Sequence, residues 1–266
     1  MPESETREAN DLTLLIEAAK ASGEIAKRFW RQSPEIWEKD AGAGPVTEAD
    51  LAVNAMLESE LRAARPDYGW LSEESTDDPA RLDHETCFII DPIDGTRAFI
   101  EGSDGFSHSL AIARGGQVTA AVVYLPIRDE IFSATAAGPA LRNGIPLAPA
   151  PSAPLGKATT IITSAASFAP HHWRGGEVPE VTRTFRSSLA WRLCLVAEGR
   201  FDIALSLRPA WEWDIAAGAL IAARAGVIST DRTGAPLRFN RATPQSNGLI
   251  TAQPDLHRVL AAKILP

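Results

Sequence analysis

The chain has no excess of basic residues, and this absence limits the partners it can bind. Its 266 residues include 34 acidic and 26 basic side chains, which give a formal net charge of −8 at pH 7. Surfaces that bind nucleic acid are normally basic, so the charge argues against a nucleic-acid polymer as partner. A small anionic substrate stays compatible with it, because bound cations reverse the local sign.

Cysteine and long apolar runs are also scarce. Cys87 and Cys194 each lie in an apolar run, so we expect two buried thiols of a reducing compartment rather than a disulfide. No apolar run approaches the length of about 20 residues that a transmembrane helix needs, so we expect no membrane partner. The acidic start, Met1 to Glu8, resembles neither a secretory signal nor a basic targeting peptide. These features predict a cytoplasmic protein.

Amphipathic helices and short apolar strands alternate along the first half of the chain. Apolar residues recur at helical spacing from about Asn10 to Arg31, and the capping signature Thr47-Glu48-Ala49-Asp50 predicts a second helix start. Residues 32–46, with Ser33-Pro34 and a Gly-rich run, are predicted to form a loop. Apolar and alternating runs predict strands at 68–71, 87–90, 107–114, 117–125 and 130–134, with a hairpin around Gly115-Gly116.

A Pro/Ala-rich stretch at 148–156 is predicted to be a linker. It separates an N-terminal α+β half, 1–147, from a C-terminal α/β half, 157–266. In the second half we expect strands at 159–163, 201–205, 227–229 and 248–251, and helices at 187–197, 214–225 and from about Asp255.

The most informative segment is Asp91-Pro92-Ile93-Asp94-Gly95-Thr96, which follows the apolar run Cys87–Ile90. Two carboxylates here flank a Pro-Ile turn at the end of a predicted buried strand, and a short helix is predicted to follow. Carboxylates hold hard divalent cations, and the free N–H groups of a helix start hold anions. The segment therefore predicts a metal-dependent phosphate site.

Three further carboxylates are candidates for the same site. Glu73, with Glu74 beside it, follows a short strand, where open α/β folds place ligands, although such a pair also occurs in solvated turns. Asp50 lies in the first turn of a predicted helix, and capping explains it less completely than it explains Thr47. Asp214 opens an apolar helix; its alternatives are an N-cap or a ligand held rigidly toward a site.

Taken together, three motifs resemble the lithium-sensitive, magnesium-dependent phosphomonoesterase superfamily that includes inositol monophosphatase, 3'(2'),5'-bisphosphate nucleotidase and fructose-1,6-bisphosphatase. They are Glu73-Glu74, Asp91–Thr96 and Trp213–Gly218, in the family's order. The resemblance runs from about Leu12 to the C-terminus. It implies a layered α-β-α-β-α sandwich of the α/β (α+β) class, with the metal site between the two halves. It also implies a small phosphorylated substrate and a homodimer.

The resemblance further implies which residues hold the metal. Glu73, Asp91 and the backbone carbonyl of Ile93 resemble ligands of a first Mg²⁺, and Asp91, Asp94 and Asp214 resemble ligands of a second. These roles suit the chemistry, because Mg²⁺ prefers oxygen ligands and four carboxylates in one pocket would repel one another strongly without cations. A two-metal site lowers the pKa of a water and stabilises the leaving alkoxide.

The remaining implied roles concern water and substrate. Asp50 resembles the carboxylate that holds a weaker third ion through water, or orients water, so the ion count is two or three. Gly95 and Thr96 resemble the phosphate-binding turn, with the Thr96 hydroxyl positioning the nucleophilic water. The implied catalytic residues are Asp50, Thr96 and Glu73, and the implied substrate-binding residues are Gly95, Thr96, Ser188 and Asp214.

Local features favour the bisphosphate nucleotidase branch, which converts adenosine 3',5'-bisphosphate to AMP and phosphate. The segments Leu71–Glu74, Asp94–Ile100 and Ser187–Gly199 resemble that branch. Inositol monophosphatases usually carry a glutamate shortly before the last metal-binding aspartate, where Ser206 or Leu207 stands here.

Other features keep alternatives open. Ala216–Ile221 is closer to inositol monophosphatases, so inositol 1-phosphate or another sugar phosphate is the second interpretation. A non-catalytic, metal-stabilised binding protein is a remote third. Arg97 or Arg208 is a candidate clamp for a second phosphate, because a guanidinium suits phosphate oxygens. The Trp211–Trp213 segment is either core or interface.

Overall fold

The computed structural model describes residues 3–39, 44–149 and 151–266, and parts of the predicted chain start, loop and linker lie outside the described residues. The helices are α1 (Glu3–Phe29), α2 (Glu48–Ala64), α3 (Thr96–Ile100), α4 (Leu189–Ala197), α5 (Glu212–Arg224) and α6 (Pro254–Ala261). The strands are β1 (Ile36–Glu38), β2 (Pro45–Thr47), β3 (Gly69–Ser72), β4 (Thr86–Asp94), β5 (Ser107–Arg114), β6 (Gln117–Leu125), β7 (Glu130–Thr135), β8 (Leu141–Arg142), β9 (Ile145–Pro146), β10 (Thr160–Ile162), β11 (Thr182–Thr184), β12 (Ile203–Ser206), β13 (Ala210–Trp211), β14 (Ile228–Thr230), β15 (Gln245–Ser246) and β16 (Leu249–Ala252).

Two large sheets separate three layers of helix. The seven-stranded sheet runs β3-β4-β5-β6-β7-β8-β9, parallel only between β3 and β4. The five-stranded sheet is mixed and runs β11-β10-β12-β16-β14. Helices α1 and α2 pack on the first sheet, α4 and α5 lie between the sheets, and α6 packs on the second. The α-β-α-β-α prediction is confirmed.

Burial explains why the middle layer and the central strand are so apolar. Every residue of β4 is buried, because helices cover both faces of its sheet. Helix α5 is packed between two sheets, so Ile215, Ala217 and Ile221 are all buried. The central core draws on Ile89 and Val123 from the first sheet and on α4 and α5 from the second half. The two halves of the chain therefore share one core, and the predicted division at 148–156 stays a prediction.

Several element bounds differ from the sequence predictions. Helix α1 begins at Glu3 rather than near Asn10, and the predicted loop 32–46 contains the short antiparallel pair β1–β2. Helix α5 begins at Glu212 with Trp211 as its N-cap residue, so the N-cap alternative for Asp214 was wrong. Asp214 instead lies in the first turn, where the amides and the helix dipole favour an anion.

The expectation about the two cysteines is confirmed. Cys87 and Cys194 are both free and buried. Among the residues the structure describes, no helix combines the length and the apolar character needed to cross a bilayer.

Candidate metal and phosphate site

The site is built around the end of β4. Its pairing with β5 is regular up to Asp91–Ser109 and resumes one residue out of step at Asp94–Ser107. This register shift is a β-bulge, which changes the direction of the chain between Asp91 and Asp94. Gly95 then adopts φ 99°, a conformation that favours glycine, and caps α3. A Cβ on Gly95 would lie 3.1 Å from the backbone nitrogen of Ser188, so the turn is also closely packed.

Three elements bring Glu73, Asp91 and Asp214 together. Carboxylate oxygens of these residues all lie within 4.8 Å of one another, at the end of β3, in β4 and in the first turn of α5. Burial, and then the charge of neighbouring carboxylates, raises the pKa of both Asp91 and Asp214 well above the usual range. Within the described residues, Asp91 Oδ1 is buried and has no hydrogen-bond partner.

These observations test whether the residues fit a metal ion. A buried carboxylate oxygen without a partner is costly, and three crowded carboxylates repel one another. A hard divalent cation resolves both costs, and an all-oxygen donor set suits Mg²⁺. The cluster therefore fits the Mg²⁺ that the resemblance implies.

Asp94 has different surroundings from the cluster. Its carboxylate accepts hydrogen bonds from the Ser188 hydroxyl at 2.7 Å and from the backbone N–H groups of Leu189 and Ala190 at 3.1 and 2.7 Å. Burial raises the pKa of Asp94 to about 6, and these hydrogen bonds oppose the shift. Asp94 lines the same cavity as the cluster, but it also anchors the start of α4, a role that sequence reasoning missed.

Asp50 is both a capping residue and a neighbour of the motif. Its Oδ2 accepts hydrogen bonds from the Thr47 backbone N–H and hydroxyl, which completes the predicted capping box. Its Oδ1 lies 3.2 Å from Thr96 Oγ1, which is equally far from the Ile93 carbonyl. Burial raises the pKa of Asp50 to about 6. The motif and Asp50 thus meet through the Thr96 hydroxyl.

Lys39 is a site residue that sequence reasoning left in a loop. Its Nζ lies 2.7 Å from Glu73 Oε1 and 2.6 Å from Glu74 Oε1. Burial disfavours the charged form of Lys39 and by itself would lower the pKa. The two neighbouring glutamates favour the charged form more strongly, so the pKa of Lys39 is raised. Burial and the charge of Glu73 raise the pKa of Glu74 to about 7. No sequence pattern links Lys39 to Glu73 and Glu74, which lie 34 and 35 positions away.

A cavity of about 530 Å³ opens over the cluster. It is lined by the three clustered carboxylates, by the Gly95-Thr96 turn, and by Lys39, Arg192, Arg208 and several aromatic side chains. Of the two predicted clamps, Arg208 lines the cavity, whereas Arg97 is exposed and is not among the described lining residues.

Three further positions that the sequence analysis singled out are Ser206, Leu207 and Ser188. Ser206 lines the cavity, but Leu207 is buried in the core beneath the five-stranded sheet. Ser188 is fully buried and bonded to Asp94 and Ser107, so its burial leaves no surface for the substrate contact that was predicted. Its role in this structure is to position Asp94.

His108 contacts the Asp91–Thr96 motif at the Pro92 carbonyl. Its Nδ1 lies 2.5 Å from the Pro92 carbonyl oxygen, and burial lowers the histidine pKa to about 4. A neutral imidazole that donates to Pro92 helps to fix the bulge between Asp91 and Asp94. No motif identifies this residue.

Comparisons with known proteins agree with this geometry. The family model described as the inositol monophosphatase family matches residues 8–265. An inositol-1-monophosphatase of Rhizobium meliloti is 32% identical over 237 residues, covering 84% of this chain and 86% of that protein. The Nus factor SuhB of Escherichia coli K12 is 30% identical over 234 residues, covering 84% and 85%.

A solved structure extends the similarity to the whole fold. The IMPase of Thermotoga maritima superposes with a TM-score of 0.81 at 26% identity, covering 95% of this chain and 96% of that one. The chain belongs to the inositol monophosphatase family, and it is a magnesium-dependent phosphomonoesterase of that family.

Proposed function

We propose that the protein hydrolyses a phosphomonoester that carries a second anionic group, with adenosine 3',5'-bisphosphate, giving AMP and phosphate, as the lead substrate. The observation that carries the phosphatase chemistry is the convergence of Glu73, Asp91 and Asp214 at the base of a cavity that also holds cationic side chains. Acidic ligands for a metal and cations for an anionic substrate are then present in one place.

Glu73, Asp91 and Asp214 would hold Mg²⁺, with the Ile93 carbonyl and Asp94 as further proposed ligands. When bound, Mg²⁺ supplies the Lewis acidity that activates a water and stabilises the leaving alkoxide. The count of two or three ions stays a prediction, as does the involvement of Asp50 with the third.

The protein's own groups orient the reaction. The Thr96 hydroxyl lies near Asp50 Oδ1 and is proposed to orient the attacking water. Asp50 is proposed to accept a proton from that water. The Gly95-Thr96 turn lines the cavity and is proposed to hold the phosphate. Arg192 and Arg208 add positive charge on the substrate side, where a second anionic group would lie.

Two features favour a nucleotide over inositol phosphate as the substrate: the missing acidic residue and the side chain of Arg208. Ser206 or Leu207 stands where an acidic residue would bind inositol hydroxyls, and Ser206 and Arg208 line the cavity. The names of curated relatives favour the second candidate, inositol 1-phosphate, since the Rhizobium meliloti protein is an inositol-1-monophosphatase. Other sugar phosphates belong to this second candidate together with inositol 1-phosphate.

A side-by-side assay tests the proposal. We expect phosphate release with Mg²⁺, inhibited by lithium, and a higher kcat/KM for adenosine 3',5'-bisphosphate than for inositol 1-phosphate. A clear preference for inositol phosphate would overturn the lead substrate. Background release from both, and from a wider panel of phosphomonoesters, would favour the remote alternative of a non-catalytic binding protein. The homodimer and the cytoplasmic location stay predictions.

A further inference from the structure

Two stacked indole rings form one wall of the cavity. The rings of Trp211 and Trp213 lie 4.6 Å apart between centroids and 8° from parallel, and both residues line the cavity. Trp213 packs against the central core, whereas Trp211 belongs to none of the described core clusters. Trp213 therefore fits the predicted core alternative, and the interface alternative stays a prediction for Trp211.

Trp211 is held rigidly although its side chain is exposed. Its backbone pairs with Gln245 in the β13–β15 ribbon, and it is the N-cap residue of α5. One face of its ring is covered by Trp213, and 39% of the residue is exposed. An indole held in this way presents a flat apolar surface at a polar site at a low entropic cost on binding.

The other side chains around the cavity suit a flat, anionic ligand. Phe185 is 50% exposed and lines the same cavity. The guanidinium of Arg192 lies 4.7 Å from the centroid of the Phe185 ring. Arg208 is exposed and also lines the cavity. Aromatic faces beside guanidinium groups are a combination that binds nucleotides, since every base has a π-face.

We propose that Trp211 is a specificity-determining residue that stacks on the aromatic base of a nucleotide phosphomonoester. The inference rests on the proposed function, because it places the scissile phosphate at the carboxylate cluster. The leaving group then extends along the wall that begins at Trp213, next to Asp214. In this arrangement Arg208 binds the second anionic group of the same substrate.

The test compares a substrate that has an aromatic base with one that has none. We expect Trp211→Ala to lower kcat/KM for adenosine 3',5'-bisphosphate by about ten- to a hundredfold, mainly through KM, as the loss of one stacking contact predicts. The same variant is expected to change kcat/KM for inositol 1-phosphate by less than about twofold. Trp211→Phe, which keeps an aromatic face, is expected to retain most of the nucleotide activity. Trp37→Ala is the control, because Trp37 is 43% exposed and lies outside the described lining of the cavity.

Equal effects of Trp211→Ala on both substrates, or none on either, would overturn the stacking inference. Phosphate release with Mg²⁺ in the same assays would still support the proposed phosphatase function. If the wild-type enzyme hydrolyses neither compound, the proposed function fails. Tryptophan fluorescence then decides the stacking inference by itself. Quenching by AMP with Mg²⁺ that is lost in Trp211→Ala supports it, and quenching that is absent or unchanged overturns it.

Discussion

The Ser188 hydroxyl donates to Asp94 Oδ2 at 2.7 Å, joining residues 94 positions apart in the chain. Ser188 is also the N-cap of α4, where its side chain accepts from the Trp191 backbone N–H. One serine therefore caps a helix of the second half and anchors the Asp91–Thr96 motif of the first. The position of Asp94 depends on a helix in the other half, which explains why the two halves share one site.

Ser188→Ala is expected to destabilise the protein by about 2 kcal/mol, because it removes a cap and a hydrogen bond to a buried carboxylate. Asp94 keeps its two backbone donors, so we expect activity to fall without being abolished. Urea unfolding and kcat measure the two effects. Ser59→Ala on the exposed face of α2 is the control, expected within about 0.5 kcal/mol of wild type. An unchanged unfolding free energy for Ser188→Ala would contradict the anchoring role.

Asp214→Asn removes one carboxylate of the cluster with little change in shape. We expect kcat to fall on the order of a hundredfold or more, since a bound metal contributes several kcal/mol to transition-state stabilisation. Weaker Mg²⁺ binding in calorimetry should accompany the loss. Retained Mg²⁺ affinity with full activity would remove Asp214 from the site.

The metal-free protein is expected to lose stability as pH rises. Burial is the main cause that raises the folded-state pKa values of Asp50 and Asp94 to about 6 and the pKa of Asp91 well above its usual range. Groups with raised folded pKa values stabilise the fold at low pH, and that stability is lost as pH rises through about 6. Added Mg²⁺ should offset the repulsion of the ionised carboxylates.

Thermal unfolding in EDTA and in Mg²⁺, at pH 5 and pH 8, checks this expectation. The rise in Tm on adding Mg²⁺ should be larger at pH 8, where the carboxylates are ionised. Asp91→Asn should flatten the dependence of the metal-free protein on pH. A Mg²⁺ effect that is the same at both pH values would contradict the coupling.

Gly218→Ala tests the close packing of α4 on α5. A Cβ at this position would lie 2.8 Å from Leu193 Cβ and 3.1 Å from the Ala190 carbonyl, so the helices must move apart. We expect a net loss of about 1–2 kcal/mol, as overpacking outweighs the better helix propensity of alanine. The midpoint of urea unfolding measures it. Gly156→Ala, where an added Cβ meets only an ordinary contact, should be near neutral.

Features specified by neighbouring residues could be predicted from the sequence. The hairpin strands β5 and β6 have the predicted bounds, because the alternating pattern is interrupted by Gly115 and Gly116, which both adopt positive φ. The capping box at Thr47 also formed as predicted. The grouping of Glu73, Asp91 and Asp214 in space agrees with the family motifs that singled them out.

Features that depend on distant contacts could not be predicted. Lys39 reaches Glu73 through the β1–β2 pair, which has only three residues in each strand and no recognisable pattern. The early start of α1 is accompanied by tertiary contacts that local propensity does not contain, because Arg7 donates to the Tyr68 hydroxyl and Glu8 accepts from the Ala137 backbone N–H. Such pairings are set by tertiary packing rather than by local sequence.

The most direct test of the site is a crystal grown with Mn²⁺ in place of Mg²⁺, examined by anomalous scattering. Both are hard cations that prefer oxygen ligands. The account predicts a strong anomalous peak within bonding distance of Glu73, Asp91 and Asp214, and its loss in Asp214→Asn. A peak elsewhere with none at these three carboxylates would contradict the assignment.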